Sequence, residues 1–253
     1  MAWQKAWRDT RWRFFTGLVL LLVLACGTIV DYRTVQQLGP RVSHISFDVS
    51  TAIGRTLQEA LETEREYRGF VWWQWFRQNL QQLWTIFAIL LGAGGLLARS
   101  TGDGALFALT LPASRRQILG ARLGVGLAEL AVLALVPSLL IPLMSPAIGE
   151  RYSVVDVAVH GACLTVAGSA WFVLTVLLST MFRDLWRPML VAGSLALLTA
   201  VVEFSSGVGP FHVMNAASYF RSGQLPWMAL ATMAVLSGGL AYAAERSYLR
   251  RDI

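Results

Sequence analysis

Lysine is almost missing from this sequence: Lys5 is the only one. A phosphate-cradling P-loop needs a lysine after its glycines, so the chain cannot itself bind ATP in the Walker manner. Any ATP-driven work has to come from a partner. Charge is scarce altogether, with 14% charged and 55% hydrophobic residues, against about 25% and roughly 45–50% in soluble proteins. A soluble chain of 253 residues could bury a large core, but it would still need a charged surface. There are too few charges here to cover one. The three histidines, His44, His160 and His212, are scattered without ligand spacing. The two cysteines, Cys26 and Cys163, sit within apolar runs and read as buried thiols, not as a disulfide or a metal pair. Neither GxSxG nor HExxH occurs. The sequence therefore offers no catalytic, cofactor-binding or metal residues, and an enzyme is not expected.

What is present is a set of long apolar runs, at Phe14–Val30, Leu83–Ala98, Leu123–Met144, Val154–Thr180, Met189–Phe204 and Leu225–Ala244. A span needs about 20 apolar residues, so the second and fifth runs must draw on their flanks or tilt less. The runs show no period-2 alternation, and backbone groups in lipid must be satisfied internally, so helices are expected and not a barrel. Basic residues set the orientation. With the N-terminus inside, Lys5, Arg8, Arg11, Arg13, Arg99, Arg115, Arg116, Arg122, Arg183, Arg187, Arg246, Arg250 and Arg251 are cytoplasmic, whereas the two short outer loops hold only Arg151 and Arg221. The expected fold is an all-α membrane protein with six transmembrane helices and both ends in the cytoplasm, forming a single transmembrane domain. Val23-Leu24-Ala25-Cys26 resembles a lipoprotein cleavage site, but Leu24 fits that pattern poorly and the apolar run continues to Val30.

The pieces between the runs carry their own expectations. Residues 1–13 read as an interfacial helix with Trp3, Trp7 and Phe14 on one face. In the outer loop 31–82, Ile45, Phe47 and Val49 alternate as in a strand, and Arg55–Arg68 reads as a charged helix with Arg55/Glu59 and Glu64/Arg68 pairs. The tryptophans of Val71–Phe76 read as an outer aromatic belt. Gly207, Gly209 and Pro210 break the chain in 205–224, and Phe211–Arg221 is expected to lie at the interface or dip back in. Of the acids in the runs, Glu129 lies about two turns into the third and should face protein or water. Asp156 and Glu203 are near the outer ends of theirs and read as solvated. Gly92, Gly94 and Gly95, and the GxxxG pair Gly120 and Gly124, would allow close helix contacts in a bundle that dimerises.

The most informative cytoplasmic segment is 99–122. Leu106, Leu109 and Leu111 give it an apolar side, Pro112 breaks it, and Ser114 can cap the next helix. Such a segment can lie along the membrane and offer itself to a soluble partner. Here the chain resembles the permease subunits of type-2 ABC transporters, mostly exporters, whose members share a glycine, leucines and a Pro-x-Ser-Arg-x-x-Ile string between spans two and three. The matching positions are Gly104, Leu106, Leu109, Pro112, Ser114, Arg115 and Ile118, with Arg116 beside them. Ala105, Phe107 and Arg99 depart from the family pattern. The resemblance implies that Gly104–Ile118 is a coupling helix seated in a groove of an ABC ATPase subunit, with Met181–Pro188 as a shorter second contact. It implies an ATP-driven exporter of the bacterial cytoplasmic (inner) membrane, multi-pass, built from two permease copies or two different permeases. ATP and magnesium would be bound by the partner, and neither a cofactor nor nucleic acid is expected on this chain. Few polar groups in the runs suit a hydrophobic or amphipathic cargo. A secondary transporter should show internal repeats or mid-membrane charges, and only Glu129 is there; a receptor or scaffold would not need the Pro-Ser-Arg corner.

Overall fold

The computed structural model describes residues 2–42, 51, 54, 58, 62–93, 114–182 and 184–250. No strand occurs among them. The helices are α1 (Ala2–Val42), α2 (Tyr67–Val71), α3 (Gln81–Gly92), α4 (Arg115–Met144), α5 (Val154–Met181), α6 (Trp186–Ser206), α7 (Pro210–Met214), α8 (Ala217–Ser222) and α9 (Trp227–Leu249). A π-helical segment, Trp72–Leu80, joins α2 to α3, and its flanking residues Val71 and Gln81 keep helical dihedrals, so the helix runs unbroken from Tyr67 to Gly92. Five helical stretches are long and apolar enough to cross a membrane: Trp3–Val35, Arg116–Ile148, Val154–Met181, Trp186–Ser206 and Trp227–Leu249.

The centre of the bundle is α5, which packs on α9, α4, α3, α7 and α6, while α1 lies chiefly along α4. Small residues let α5 take that place. A Cβ on Gly168 would come within 2.2 Å of the Trp84 ring, and one on Gly92 within 2.7 Å of the Phe172 carbonyl oxygen. Two helices thus touch backbone to side chain, which only glycine permits. Gly94 and Gly95 lie outside the described residues. The Gly120/Gly124 pair does not act as one surface. Gly124 receives the ring of Trp3, whereas nothing lies within reach of a Cβ on Gly120. Ser169 and Ser237 share a hydrogen bond at 2.9 Å between α5 and α9, and Thr180 donates to Ser247 at 3.0 Å. α1 runs parallel to α4, with Trp3 beside Gly124 and Thr10 beside Glu129, and Arg116 of α4 pairs with Glu245 of α9, so the start of α1 and the end of α9 lie at the same end of the bundle.

Several expectations about the connecting pieces change. Residues 2–13 are helical, but continuous with the first apolar run and not a separate element. Trp3 and Thr10 pack on α4 there. The Ile45–Val49 strand falls outside the described residues, as do Arg55 and Glu59. The Glu64/Arg68 pair does not form, because Glu66 is extended (φ −97°, ψ 143°) and breaks the helix. Glu64 accepts instead from Gln74 Nε2 at 2.7 Å, and Arg68 reaches Asp156. Burial holds the Glu64 carboxyl above its usual range, and the Gln74 bond works against that shift.

The aromatic cluster is core, not a belt. Trp72, Trp75 and Phe76 are buried, and the indole N–H groups of Trp72 and Trp75 have found acceptors, as a ring removed from water favours. Trp72 donates to Asn215 O at 3.0 Å and Trp75 to Ser138 Oγ at 2.9 Å. Trp72 stacks on Phe220 with centroids 4.3 Å apart, while the Arg77 guanidinium sits 3.9 Å over Trp73. Phe211–Arg221 forms two short helices divided at Ala216, which holds a left-handed φ of 52°. Met214, Asn215 and Ala217 are buried against the bundle, so this irregular backbone packs on protein as lipid demands.

Candidate functional site

Gly104, Leu106, Leu109 and Pro112 lie outside the described residues, but both ends of their segment are fixed by contacts. At the downstream end Ser114 is extended and caps α4: its Oγ accepts from Gln117 N at 3.3 Å, and the Gln117 side chain accepts from Ser114 N at 3.2 Å. This reciprocal capping box satisfies two of the helix's orphan donors and sets a sharp start at Arg115. Arg116 extends along α4 to Glu245 of α9, Nε to Oε1 at 2.8 Å. Both partners are solvent-accessible, so the pair contributes little to stability. Ile118 is half-buried.

At the upstream end, α3 is described to Gly92, and the last carbonyls of a helix lack intrahelical partners. Three side chains from three other helices take them up. Arg13 of α1 donates from Nη1 to Leu90 O at 2.8 Å, and Arg122 of α4 from Nη2 to Gly92 O at 2.8 Å. Ser179 of α5 lies 3.0 Å from Gly92 O and 2.7 Å from Thr175 O, and shares its one hydroxyl hydrogen between them. Cations at a helix C-terminus are favoured by its dipole. Sequence reading counted Arg13 and Arg122 only as topological charges. Their positions immediately before two apolar runs were the available signal, since an arginine at such a boundary can turn back to cap a neighbouring helix.

Glu129 is buried, and its Oε1 accepts from Thr10 Oγ1, while Oε2 has no partner. The contact joins α4 to the beginning of α1. Thr10 also has Ala6 O at 3.2 Å and Trp7 O at 3.3 Å within reach, so its hydroxyl does not depend on the carboxyl. Glu129→Leu is therefore expected to raise stability by about 1–3 kcal/mol, the cost of a buried unsatisfied polar group, with Glu129→Gln intermediate. Thermal unfolding of the three proteins in one detergent measures this; a lower midpoint for the leucine variant would show that the carboxyl is satisfied.

Asp156 and Glu203, read as solvated, are both buried. Asp156 holds three elements together: Oδ2 accepts from Arg68 Nε of α2 at 2.9 Å, and Oδ1 from the Tyr219 hydroxyl of α8 at 2.9 Å. That bond and the adjacent carboxylate hold the Tyr219 hydroxyl above its usual range. His160, one turn further along α5, meets the Asp156 carbonyl through Nδ1 at 2.7 Å and stacks on Phe76 with centroids 4.4 Å apart. Beside them Tyr67 and Ser145 share a hydrogen bond at 2.7 Å, and burial pushes the Tyr152 hydroxyl up. Glu203 Oε2 accepts from Phe211 N at 2.9 Å, tying α6 to α7. Burial followed because 205–224 folds over the ends of α5 and α6, a tertiary event that proximity to an interface did not reveal. Among the described residues no group of His, Cys, Asp and Glu has the arrangement of a metal site. Cys26 and Cys163 are free thiols, the former 3.8 Å from Met144 Sδ.

No family model matches the chain, and no curated protein or solved structure is significantly similar to it.

Proposed function

We propose that this chain is the permease subunit of an ATP-driven transporter of the type-2 ABC class, an exporter of hydrophobic or amphipathic molecules from the bacterial cytoplasmic membrane. ATP and magnesium belong to a separate ATPase subunit, and two permeases, identical or paralogous, enclose the path. The observation that carries the reading is the treatment of the segment between α3 and α4. Its upstream end is held by Arg13, Arg122 and Ser179, and its downstream end by the Ser114 capping box. A push on this segment by a soluble partner is delivered at once to α1, α3, α4 and α5. Coupling of ATP-driven closure to helix movement needs a connection of that kind.

In this reading Tyr67–Gly92 is the second of six spans. Alone, α3 is about 18 Å long at 1.5 Å per residue, too short for a hydrocarbon layer of about 30 Å, but the π segment and α2 extend it. The basic residues place the segment 99–122 inside and residues 31–66 outside. Single cysteines at Ser50 and Ser114, in a background without Cys26 and Cys163, test the orientation. Ser50→Cys is expected to react with an impermeant maleimide in intact cells and Ser114→Cys only after lysis; the reverse pattern inverts the topology. The function itself is tested by affinity purification of the chain from its native membrane. An ABC ATPase is expected to co-purify in equal amount with the permease, and its absence under conditions that retain other membrane complexes would remove the reading.

A further inference from the structure

Between α1 and the π segment an open cleft of about 210 Å³ is lined by Thr28, Asp31, Thr34, Gln74 and Asn79, with Val35 and Phe70 as its apolar wall. Its depth follows from α1. Thr28 is fifteen residues beyond Arg13, or about 22 Å at 1.5 Å per residue, and Asp31 about 27 Å. In a layer of about 30 Å the cleft therefore lies in the outer leaflet of the proposed orientation, with Asp31 and Thr34 near the headgroups. Hydrogen-bonding groups at that depth cost free energy unless water or a ligand meets them.

The cleft is lined by oxygens that make few contacts. The Thr28 hydroxyl donates to Leu24 O at 2.9 Å, and its oxygen receives only a long contact from Asn79 Nδ2. Gln74 Nε2 donates to Glu64 at 2.7 Å, and its carbonyl oxygen accepts from no described residue. Among the described residues Asn79 meets only Thr28, at 3.5 Å. Asp31 is exposed and makes no ion pair with a described residue. Among the described residues no cationic side chain lines the cleft; the neighbouring Arg33 reaches Ala147 O instead. An acceptor-rich cleft with one free carboxylate matches a group that carries only donors and a positive charge, as an ammonium does. The volume is below the ~300–1,000 Å³ of sites that enclose a drug-sized ligand, so it suits a head and not a whole molecule. We propose that the cleft binds the ammonium head of a cationic amphiphile whose tail lies in the outer leaflet.

This names a cargo class for the transporter proposed above, but it is tested at equilibrium without nucleotide, so loss of the transport reading and loss of the cleft are separate results. The chain lacking Cys26 and Cys163 is placed in phosphatidylcholine nanodiscs with a single cysteine at Thr34, or at Ser222 as an exposed control on α8. Maleimide labelling is followed against dodecylamine, dodecanol and dodecyl sulfate at neutral pH. Dodecylamine is expected to protect Thr34→Cys saturably and leave Ser222→Cys unchanged, with little protection from the other two. Adding Asp31→Asn should raise the half-protecting concentration about ten-fold, equivalent to ~1.4 kcal/mol. If Thr34→Cys does not fold, binding of radiolabelled dodecylamine to the wild type and to Asp31→Asn gives the same comparison. Equal protection by all three amphiphiles, or no effect of Asp31→Asn, overturns the proposal. So does slow labelling without amphiphile combined with disulfide-linked dimers through Thr34→Cys, which would make a second copy the occupant.

Discussion

Trp84→Ala is expected to destabilise the bundle by about 3–5 kcal/mol, the range for removing a fully buried aromatic side chain. Trp84 is completely buried and joins three helices. It stands on α3, its ring fills the space left by Gly168 of α5, and its Nε1 donates to Leu130 O of α4 at 2.9 Å. Truncation leaves a cavity that α5 cannot close, because Gly168 has no side chain to fill it. Trp84→Phe keeps most of the ring and loses the hydrogen bond, so its cost should be clearly smaller. Gly168→Val should resemble Trp84→Ala, since a Cβ there meets the ring at 2.2 Å. Equilibrium unfolding in a fixed lipid–detergent mixture measures all three. A loss under about 1 kcal/mol for Trp84→Ala, the worth of the hydrogen bond alone, would mean that the three helices do not meet at this ring.

The second large effect concerns the segment on which the proposed function depends. If Gly104–Ile118 seats in an ATPase groove, Leu106→Ala and Leu109→Ala should each weaken the complex by roughly 1–3 kcal/mol, the value of a buried leucine side chain. Together they should abolish co-purification while membrane insertion stays intact, because the flanking helices are untouched. Arg115→Glu should act at the rim, with an effect that shrinks in high salt. Arg116 is the poorer probe, because its guanidinium is already paired with Glu245. The readouts are ATPase recovery with the purified permease and transport-coupled ATP turnover. A leucine double mutant that retains both would leave the segment a mere connector and deprive the exporter reading of its main support.

Five of the six apolar runs correspond to helices long and apolar enough to cross a membrane, because a 20-residue stretch without charges has few alternatives in lipid. The sixth, Leu83–Ala98, draws on its upstream flank, as its shortness required. Its helix begins sixteen residues earlier, at Tyr67, where Gln74, Arg77, Gln78 and Asn79 interrupt the hydropathy. Gln74 and Asn79 face a cleft and Arg77 an aromatic ring, which no local pattern encodes. The tryptophans beside them were legible as aromatic but not as core, since a belt and a core have the same composition. They differ only in which acceptors the indoles find. Glu129, expected to face protein or water, is buried in protein, one of the few choices for a carboxyl two turns into an apolar run. Asp156 and Glu203 were misread, as their burial depends on α7 and α8 folding over them. The helix-capping arginines at Gly92 escaped notice because their acceptors are backbone carbonyls, which leave no mark in a sequence.

The length of α1 has a mechanical consequence. Its 41 residues run unbroken from Ala2 to Val42, about 60 Å at 1.5 Å per residue, whereas the bilayer with its headgroups is ~40–45 Å thick. It is held over most of that length: by α4 through Trp3 and Thr10, by α3 through Arg13, and further along by Tyr67 and Phe70 against Tyr32. The helix is therefore a rail and not a free lever, since a tilt would have to break the contacts at Trp3 and at Tyr32 together. A displacement at one end of α1 is carried to the other as a shift of the whole helix along its partners.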